Sequence, residues 1–477
     1  MGRGIRRWSL LLILLLALGL RLRGITNPLL DDQAWRQADT ASMATHMLGH
    51  LTDLPNVFFP QLNYDGVIPQ RVELEFPFLP YLLAWTWTFF GWADIWGRLW
   101  SVILSMLTIA GIYTLGRDLF TVRVGLFAAT IYASMPLSIY YGRVVMPEPM
   151  AQTWSIWALV SIYKWRSTQE ESGSWKAGLL MAGAILAKLP QLMLFPVVLL
   201  LGFWPLKPKL VKQLIRYVII VLILPMVYYL WVHYYATPSS QFVSGILAGN
   251  MVESSNLDWK FLSDNIRQGL TDSILILAGG GMCRLLFFHT TAFTEARRQK
   301  GFLVSPVRMA VLAWAGVSAL YVGIVCIRIP FDYYLVPILP LISLLSAYAL
   351  DGIKDLRGRV LILVLIVVFN WDSYTYLSTK YEWDVDYIIQ ARWIKDNTPE
   401  SSILVLSDPP PMTFYYANRV GFRLTTVQDY QISIRRLQQF SADYLIRLPH
   451  TQQNETFWRK IQESYSEIGP GIFDLKR

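Results

Sequence analysis

Charge is what this chain of 477 residues has least of: Asp, Glu, Lys and Arg together make up 16%, against roughly 25% in soluble globular proteins. A soluble fold of this length would lack the side chains to cover its own surface. The 54% of hydrophobic residues and the mean hydropathy of +0.37 also exclude a disordered or fibrous chain. Cysteine is nearly absent: Cys283 and Cys326 lie in or beside apolar stretches, too few to build the disulfide framework of a small secreted domain. Internal repeats, low-complexity segments and sustained heptads are missing, as are Walker-type, GxGxxG, HExxH, paired CxxC and GxSxG motifs. His46 and His50 read as polar-face residues rather than metal ligands. The net charge of +9 could point to nucleic acid, but the basic residues stand in small groups between apolar runs. No nucleic-acid partner is expected; the lipid bilayer explains the pattern.

The N-terminus reads MGRGIRR and then WSLLLILLLALGL, a positive region before a short apolar core, which is also the pattern of a secretory signal peptide. No small-x-small cleavage site follows, and Arg21 and Arg23 could snorkel to the interface at a helix end. Residues 7 to 24 are therefore expected as a retained first helix starting in the cytoplasm. Further apolar stretches lie near 98–115, 122–140, 149–165, 175–187, 189–205, 214–235, 269–289, 307–326, 333–350 and 359–371. They predict a mainly α polytopic bundle of about 11 to 13 spans, some shorter than the roughly 20 residues a bilayer needs.

The run FPFLPYLLAWTWTFF, 76 to 90, is short, holds two prolines and is rich in aromatics that favour the membrane interface. As an interfacial helix rather than a span, it leaves every basic cluster in the cytoplasm: Arg117 and Arg123; Lys164, Arg166 and Lys176; Lys207, Lys209, Lys212 and Arg216; Arg297, Arg298 and Lys300; Lys354, Arg357 and Arg359. The same threading places outside the first loop, the turn from Arg143 to Glu148 and the tail. The tail changes composition, with strand-like SSILVLS and ADYLIRL alternating with helix-like DYIIQARWIKDN and SIRRLQQF. The expected division is a membrane module, 1–375, including the external loop 25–97 with juxtamembrane helices, and a small extracytoplasmic α/β domain, 376–477.

Ionisable groups at the ends of such a bundle are costly unless paired or hydrated, and so are functional candidates. In LLDDQAWRQADTASMATHML, Asp32, Arg36 and Asp39 recur at helical spacing and are expected on one helix face, with an internal Asp32 to Arg36 pair as the plainer reading. In YYGRVVMPEPM, Arg143 precedes Glu148, and prolines flank the acid. Those prolines predict a fixed extended turn, or else an acid capping the next helix. Lys188, in ILAKLPQLM, is a lone cation inside an apolar hairpin and requires an anionic partner, from protein or ligand. In IRIPFDYYLVPILP, Arg328, Asp332 and Tyr333 mark the end of a span. Acids suit proton abstraction from a hydroxyl, or metal binding. Lys and Arg suit an anionic leaving group such as phosphate.

The order of these motifs resembles that of the GT-C superfamily of membrane glycosyltransferases, and is similar to protein O-mannosyltransferases (family 39) and lipid A aminoarabinose transferases (family 83). Asp32 or Asp39 matches the acid after the first span, EFPFLPYLLA the proline-containing interfacial helix and GRDLFTVR a cytoplasmic turn. Arg143, Glu148 and Pro149 match the second loop, Lys188 and Pro190 a Lys-x-Pro hairpin, and Arg328 with YLVPILP a later span. The likeness covers roughly residues 5 to 350, in order. Two departures stand out. The family's adjacent Asp-Glu is here Asp31-Asp32-Gln33, which leaves the base open between Asp32 and Asp39. The Lys-Pro-Pro that contacts phosphate in some members is Glu75-Phe76-Pro77.

The resemblance implies an inverting glycosyltransferase in the plasma (inner) membrane, with its site on the extracytoplasmic or periplasmic side. The donor would be a polyprenyl-phosphate-linked sugar, on undecaprenyl or dolichyl phosphate, and the acceptor a hydroxyl of a glycan, lipid or protein. Asp32 or Asp39 would be the base and Glu148 would position a substrate. Arg36, Arg143, Lys188, Arg328 and Tyr333 would bind substrate, the cations neutralising the departing phosphate. No cofactor is expected; a divalent cation could sit between the acids, but metal-free relatives argue against it. The alternatives are a multipass transporter or flippase of lipid-linked sugars, which predicts inverted repeats and mid-membrane polar residues, and a noncatalytic scaffold with the tail as binding module.

Overall fold

The computed structural model describes residues 3–168, 170–241, 259–287, 305–329, 331–353, 355, 357–358, 371–407, 412–424, 430–449 and 455–476. The chain divides into two compact units. One comprises Met1–Ile25, Arg98–Tyr229 and Gly249–Lys380; the other comprises Thr26–Gly97, Leu230–Ala248 and Tyr381–Arg477.

Every regular element among the described residues of the first unit is a helix. Among the described residues of the chain, four helices are long and apolar enough to cross a membrane: Asp94–Leu119, Pro208–Tyr235, Pro306–Cys326 and Asp332–Gly352. A fifth span results if Leu262–Leu270 and Asp272–Phe287 count as one, although they meet at 88°. Thr271, between them, has a φ of 68°, a conformation that β-branched residues rarely adopt and that no continuous helix contains. This is fewer than the expected eleven or more, and proline accounts for part of the difference. The stretch 122–140 is divided by Pro136 into Val122–Ser134 and Pro136–Tyr141, and the stretch 189–205 opens as the 3-10 turn Leu189–Leu194 before Phe195–Phe203. The expected span at 359–371 lies, apart from its last residue, outside the described residues.

Arg21 ends the first helix, Arg3–Arg21. Expected at the interface, it is instead wholly buried. Its Nε donates to Ser105 Oγ at 2.7 Å, its Nη1 to the carbonyls of Ala17 and Ala133, and its Nη2 to Ser138 Oγ at 2.7 Å and Ser138 O at 3.1 Å. A guanidinium has five donors in a fixed fork, and here carbonyls and hydroxyls take them all, so the charge is solvated by protein rather than water. Gly142 makes this possible, since a Cβ there would stand 2.6 Å from Arg21 Nε.

The second unit is built on a five-stranded sheet. The hairpin β1 (Gln61–Leu62) and β2 (Gln70–Arg71) comes first in the chain; β3 (Ile403–Ser407), β4 (Val420–Leu424), β5 (Tyr444–Ile446), β6 (Glu467–Gly469) and β7 (Ile472–Asp474) then pair in the order β4-β3-β5-β7-β6. β3 is parallel to β4 and β5, whereas β7 runs antiparallel to β5 and β6. The side-chain period of two sorts the strands onto two cores. Val405 and Leu445 face the tail helices through Leu437, Phe457, Trp458 and Ile461. Leu404, Leu406 and Ile446 face Met43, Leu62, Tyr64, Val72 and Leu74. One face of the tail's sheet is thus covered by the first loop, a segment expected to belong with the membrane helices. That loop also reaches the sheet edge, where the Gly421 amide donates to Asn63 O at 3.0 Å and the Gly66 amide to Gly421 O at 3.1 Å. Only glycine fits at 421, because a Cβ would meet Leu404 O at 1.8 Å.

The aromatic run 76–90 forms the helix Phe78–Phe90 in this unit. Its 13 residues rise only about 20 Å, short of a bilayer core of about 30 Å.

Candidate functional site

Glu148 opens the helix Glu148–Thr168 rather than sitting in an extended turn. Proline is tolerated in a first helical turn, where the amide it lacks would have no partner in any case, so Pro149 continues the helix. The acid therefore stands at the positive end of the helix dipole. Lys188 occupies the break between the helix Glu171–Ala187 and the 3-10 turn Leu189–Leu194, with an extended backbone at φ −159°. Its Nζ lies 2.9 Å from Glu148 Oε1. The same ammonium faces the rings of Tyr333 and Tyr334, at 5.1 and 5.7 Å from their centroids. These residues, with Gln191 and Tyr321, line a pocket of about 220 Å³ including its open mouth. The anionic partner that Lys188 requires is thus supplied by the protein, and the lysine, the acid and Tyr333 are brought together.

Arg143 is wholly buried in the same unit, its Nη1 donating to Gly24 O at 2.9 Å and its guanidinium over the Tyr140 ring at 5.1 Å. Arg328 is exposed just past the span Pro306–Cys326. Neither lines the Glu148 pocket. Asp332 is buried and bound on both oxygens: Tyr141 donates its hydroxyl to Oδ1, and Lys380 Nζ lies 2.6 Å from Oδ2.

In the second unit, the helix Ala34–Met47 begins after Asp32, with Gln33 in a left-handed conformation as its N-cap. Asp32 therefore precedes the helix, half-buried in a turn, and does not share a helical face with Asp39. Arg36 forms an ion pair with Glu75. Asp39 is buried, and Tyr64 donates its hydroxyl to Asp39 Oδ2 at 2.9 Å. Over the Tyr64 ring, at 4.1 Å, lies the Arg423 guanidinium, itself bound to Asp65 with Nε donating at 3.1 Å. Burial lifts the Asp39 carboxyl from 3.8 to about 6, against the pull of Arg36 and the Tyr64 hydrogen bond. Burial and the neighbouring Asp39 charge push the Tyr64 phenol well above its usual value. Among the described residues, no three His, Cys, Asp or Glu side chains gather so as to hold a metal ion.

Sequence reasoning missed Tyr334, Tyr321 and Gln191 at the pocket, Lys380 beside Asp332, and Tyr64 and Arg423 around Asp39. Tyr334 stands next to Tyr333 in DYYLVP and could have been read with it. Gln191 likewise stands three residues past Lys188 in ILAKLPQLM, whereas the others lie far along the chain from their partners, and nothing local marks them.

Residues 75–233 match the model of the dolichyl-phosphate-mannose-protein mannosyltransferase family. No curated protein sequence matches the chain significantly. Among solved structures, the chain is similar to ArnT from Cupriavidus metallidurans bound to undecaprenyl phosphate, with 13% identity, a TM-score of 0.62 and 97% of each chain covered. The apo state of that protein aligns with 12% identity and a TM-score of 0.63, over 96% of this chain and 94% of that one. The oligosaccharyltransferase AglB from Archaeoglobus fulgidus, in complex with an inhibitory peptide and a dolichol-phosphate, aligns with 13% identity and a TM-score of 0.61, over 93% of this chain and 69% of that one. The chain shares the fold of ArnT and of the archaeal oligosaccharyltransferase, and a third of it matches the mannosyltransferase family model.

Proposed function

We propose that the protein is an inverting membrane glycosyltransferase that moves a sugar from a polyprenyl-phosphate donor to an acceptor hydroxyl. The acceptor is a glycan, lipid or protein at the extracytoplasmic face of the plasma (inner) membrane, where the sheet-bearing tail also resides. The observation that carries this reading is the likeness, along nearly the whole of both chains, to ArnT solved with undecaprenyl phosphate. The pocket supports it with suitable chemistry. Lys188 Nζ already lies 2.9 Å from Glu148 Oε1, and a lysine has three donors to share between a carboxylate and a phosphate oxygen. In a dry setting, such a cation stabilises a leaving phosphate by up to a few kcal/mol.

Inversion requires a base on the acceptor hydroxyl. Of the first-loop acids, Asp39 is sealed against Tyr64 and the apolar core beside it, so the role falls to Asp32, which is half-buried in its turn. Arg36 and Arg143, both buried, hold Glu75 and the Gly24 carbonyl in place, respectively. Arg328, being exposed, suits a contact with lipid phosphate at the membrane surface.

Comparative mass spectrometry of membranes with and without the protein tests the reading: one glycan, lipid or glycoprotein should lose a single sugar when the protein is absent. Unchanged profiles, together with no transfer from polyprenyl-phosphate sugars by the purified protein, would remove it.

A further inference from the structure

Lys380 is the last residue of the helical unit, yet it is almost wholly buried. Besides its contact with Asp332, its ammonium lies over the rings of Tyr376 at 4.9 Å, Tyr140 at 5.5 Å and Tyr141 at 6.0 Å. Tyr376 in turn donates to Asp332 Oδ2 at 3.5 Å and to Asn265 Oδ1 at 3.2 Å. Asp332 therefore gathers Tyr141 from one segment and Tyr376 and Lys380 from another, in and just past the helix Trp371–Thr379, onto one carboxylate. The next residue after Asp332 is Tyr333, whose ring covers Lys188. Tyr333 also meets Tyr141 edge-on, with centroids 6.3 Å apart and an interplanar angle of 71°. Two buried lysine–acid pairs are thus coupled through Tyr333, by the backbone from Asp332 and by the ring of Tyr141.

The geometry points to Lys380 as a positioning residue: through Asp332 it holds Tyr333 over the Lys188 ammonium, and so sets how open that ammonium is to an anionic ligand. The idea rests on the function proposed above for the ligand's identity, but not for the positioning itself. Without the Lys380 charge, Asp332 is a buried carboxylate short of its cation, and such a group either takes a proton or turns toward water. Either response loosens the 3-10 turn Asp332–Ile338 that carries Tyr333.

The test uses the full-length protein in detergent and reads acylation of Lys188 by mass spectrometry, which needs no lipid ligand. Lys380→Met should raise Lys188 labelling severalfold, above the level in a variant of matched melting temperature such as Ile112→Ala, which is cut elsewhere in the same unit. Tyr333→Leu should produce a similar rise, the double variant should add little to either single, and Lys380→Arg should restore native labelling. Labelling in Lys380→Met no higher than in Ile112→Ala would overturn the proposal. Titration with undecaprenyl phosphate forms the second arm, in which Lys380→Met should bind severalfold more tightly than native protein, because its Lys188 ammonium is less covered. Native protein that failed to bind this lipid would sink the proposed function, while a raised Lys188 reactivity would still uphold the positioning by Lys380.

Discussion

Glu148 Oε1 stands 2.9 Å from Lys188 Nζ, and the two side chains are only 2% and 7% exposed. At that burial each charge is tolerable only because of the other. Lys188→Ala should therefore destabilise the protein by about 3–5 kcal/mol, visible as a lowered melting temperature in detergent, and adding Glu148→Gln should recover part of the loss. Lys188→Arg should be milder, since the charge survives while the fork geometry differs. If Lys188 also meets the donor phosphate, the Lys188→Ala/Glu148→Gln double will bind undecaprenyl phosphate more weakly than native protein. Unchanged affinity in that double would leave the pair a purely structural one.

Asp39 should make stability depend on pH in a sense opposite to most acids. Its carboxyl is lifted from 3.8 to about 6 in the folded chain, so the fold binds the proton more tightly than the unfolded chain does. The stabilisation is fully present below 3.8 and is lost as pH rises to about 6. The lift is worth about 3 kcal/mol. Asp39→Asn keeps an acceptor for the Tyr64 hydroxyl and removes the titration, so its melting temperature should fall less than that of native protein over this range. Parallel pH profiles of the two would contradict the burial argument.

Turnover separates the two first-loop acids. Asp32→Asn should abolish transfer and leave donor binding largely intact, because a lost base removes an interaction made only in the transition state. Asp39→Asn should keep measurable transfer. The reverse result would reassign the base to Asp39 and require its burial to open during reaction, and normal rates in both would exclude both.

Sidedness is open to cysteine labelling. In a Cys283→Ser background, Cys326 is buried and the exposed positions Gln438 in the tail and Lys176 near the start of the helix Glu171–Ala187 are accessible to substitution. A membrane-impermeant maleimide should reach Gln438→Cys in intact cells and Lys176→Cys only after permeabilisation. The opposite pattern would invert the threading.

Much of the chemistry was legible because each signal was local. Lys188 announces itself as a single cation in an apolar run, and Glu148 as an acid between prolines; both physical arguments demand a partner without saying which. The low charge and the spacing of apolar stretches likewise point to membrane helices from composition alone, and the ordered motifs point to the GT-C resemblance. The continuous apolar run of ILVLS marks β3 as a strand with two buried faces.

What only the tertiary structure decided was partnership. A helix start is set by caps and by the first turn that packs, so Asp32 fell outside its helix while Glu148 fell inside the next one. Burial depends on what covers a residue: Arg21 became an interior group because Ser105, Ala133 and Ser138 surround it, and Asp39 because Tyr64 closes over it. Lys380 carries no sequence signal, since it ends the mixed polar and aromatic run DSYTYLSTK, and only the approach of Asp332, 48 positions earlier in the numbering, makes it part of the same polar network as Tyr333. Hydropathy and spacing are properties of neighbours along the chain, whereas ion pairs and cover are properties of neighbours in space.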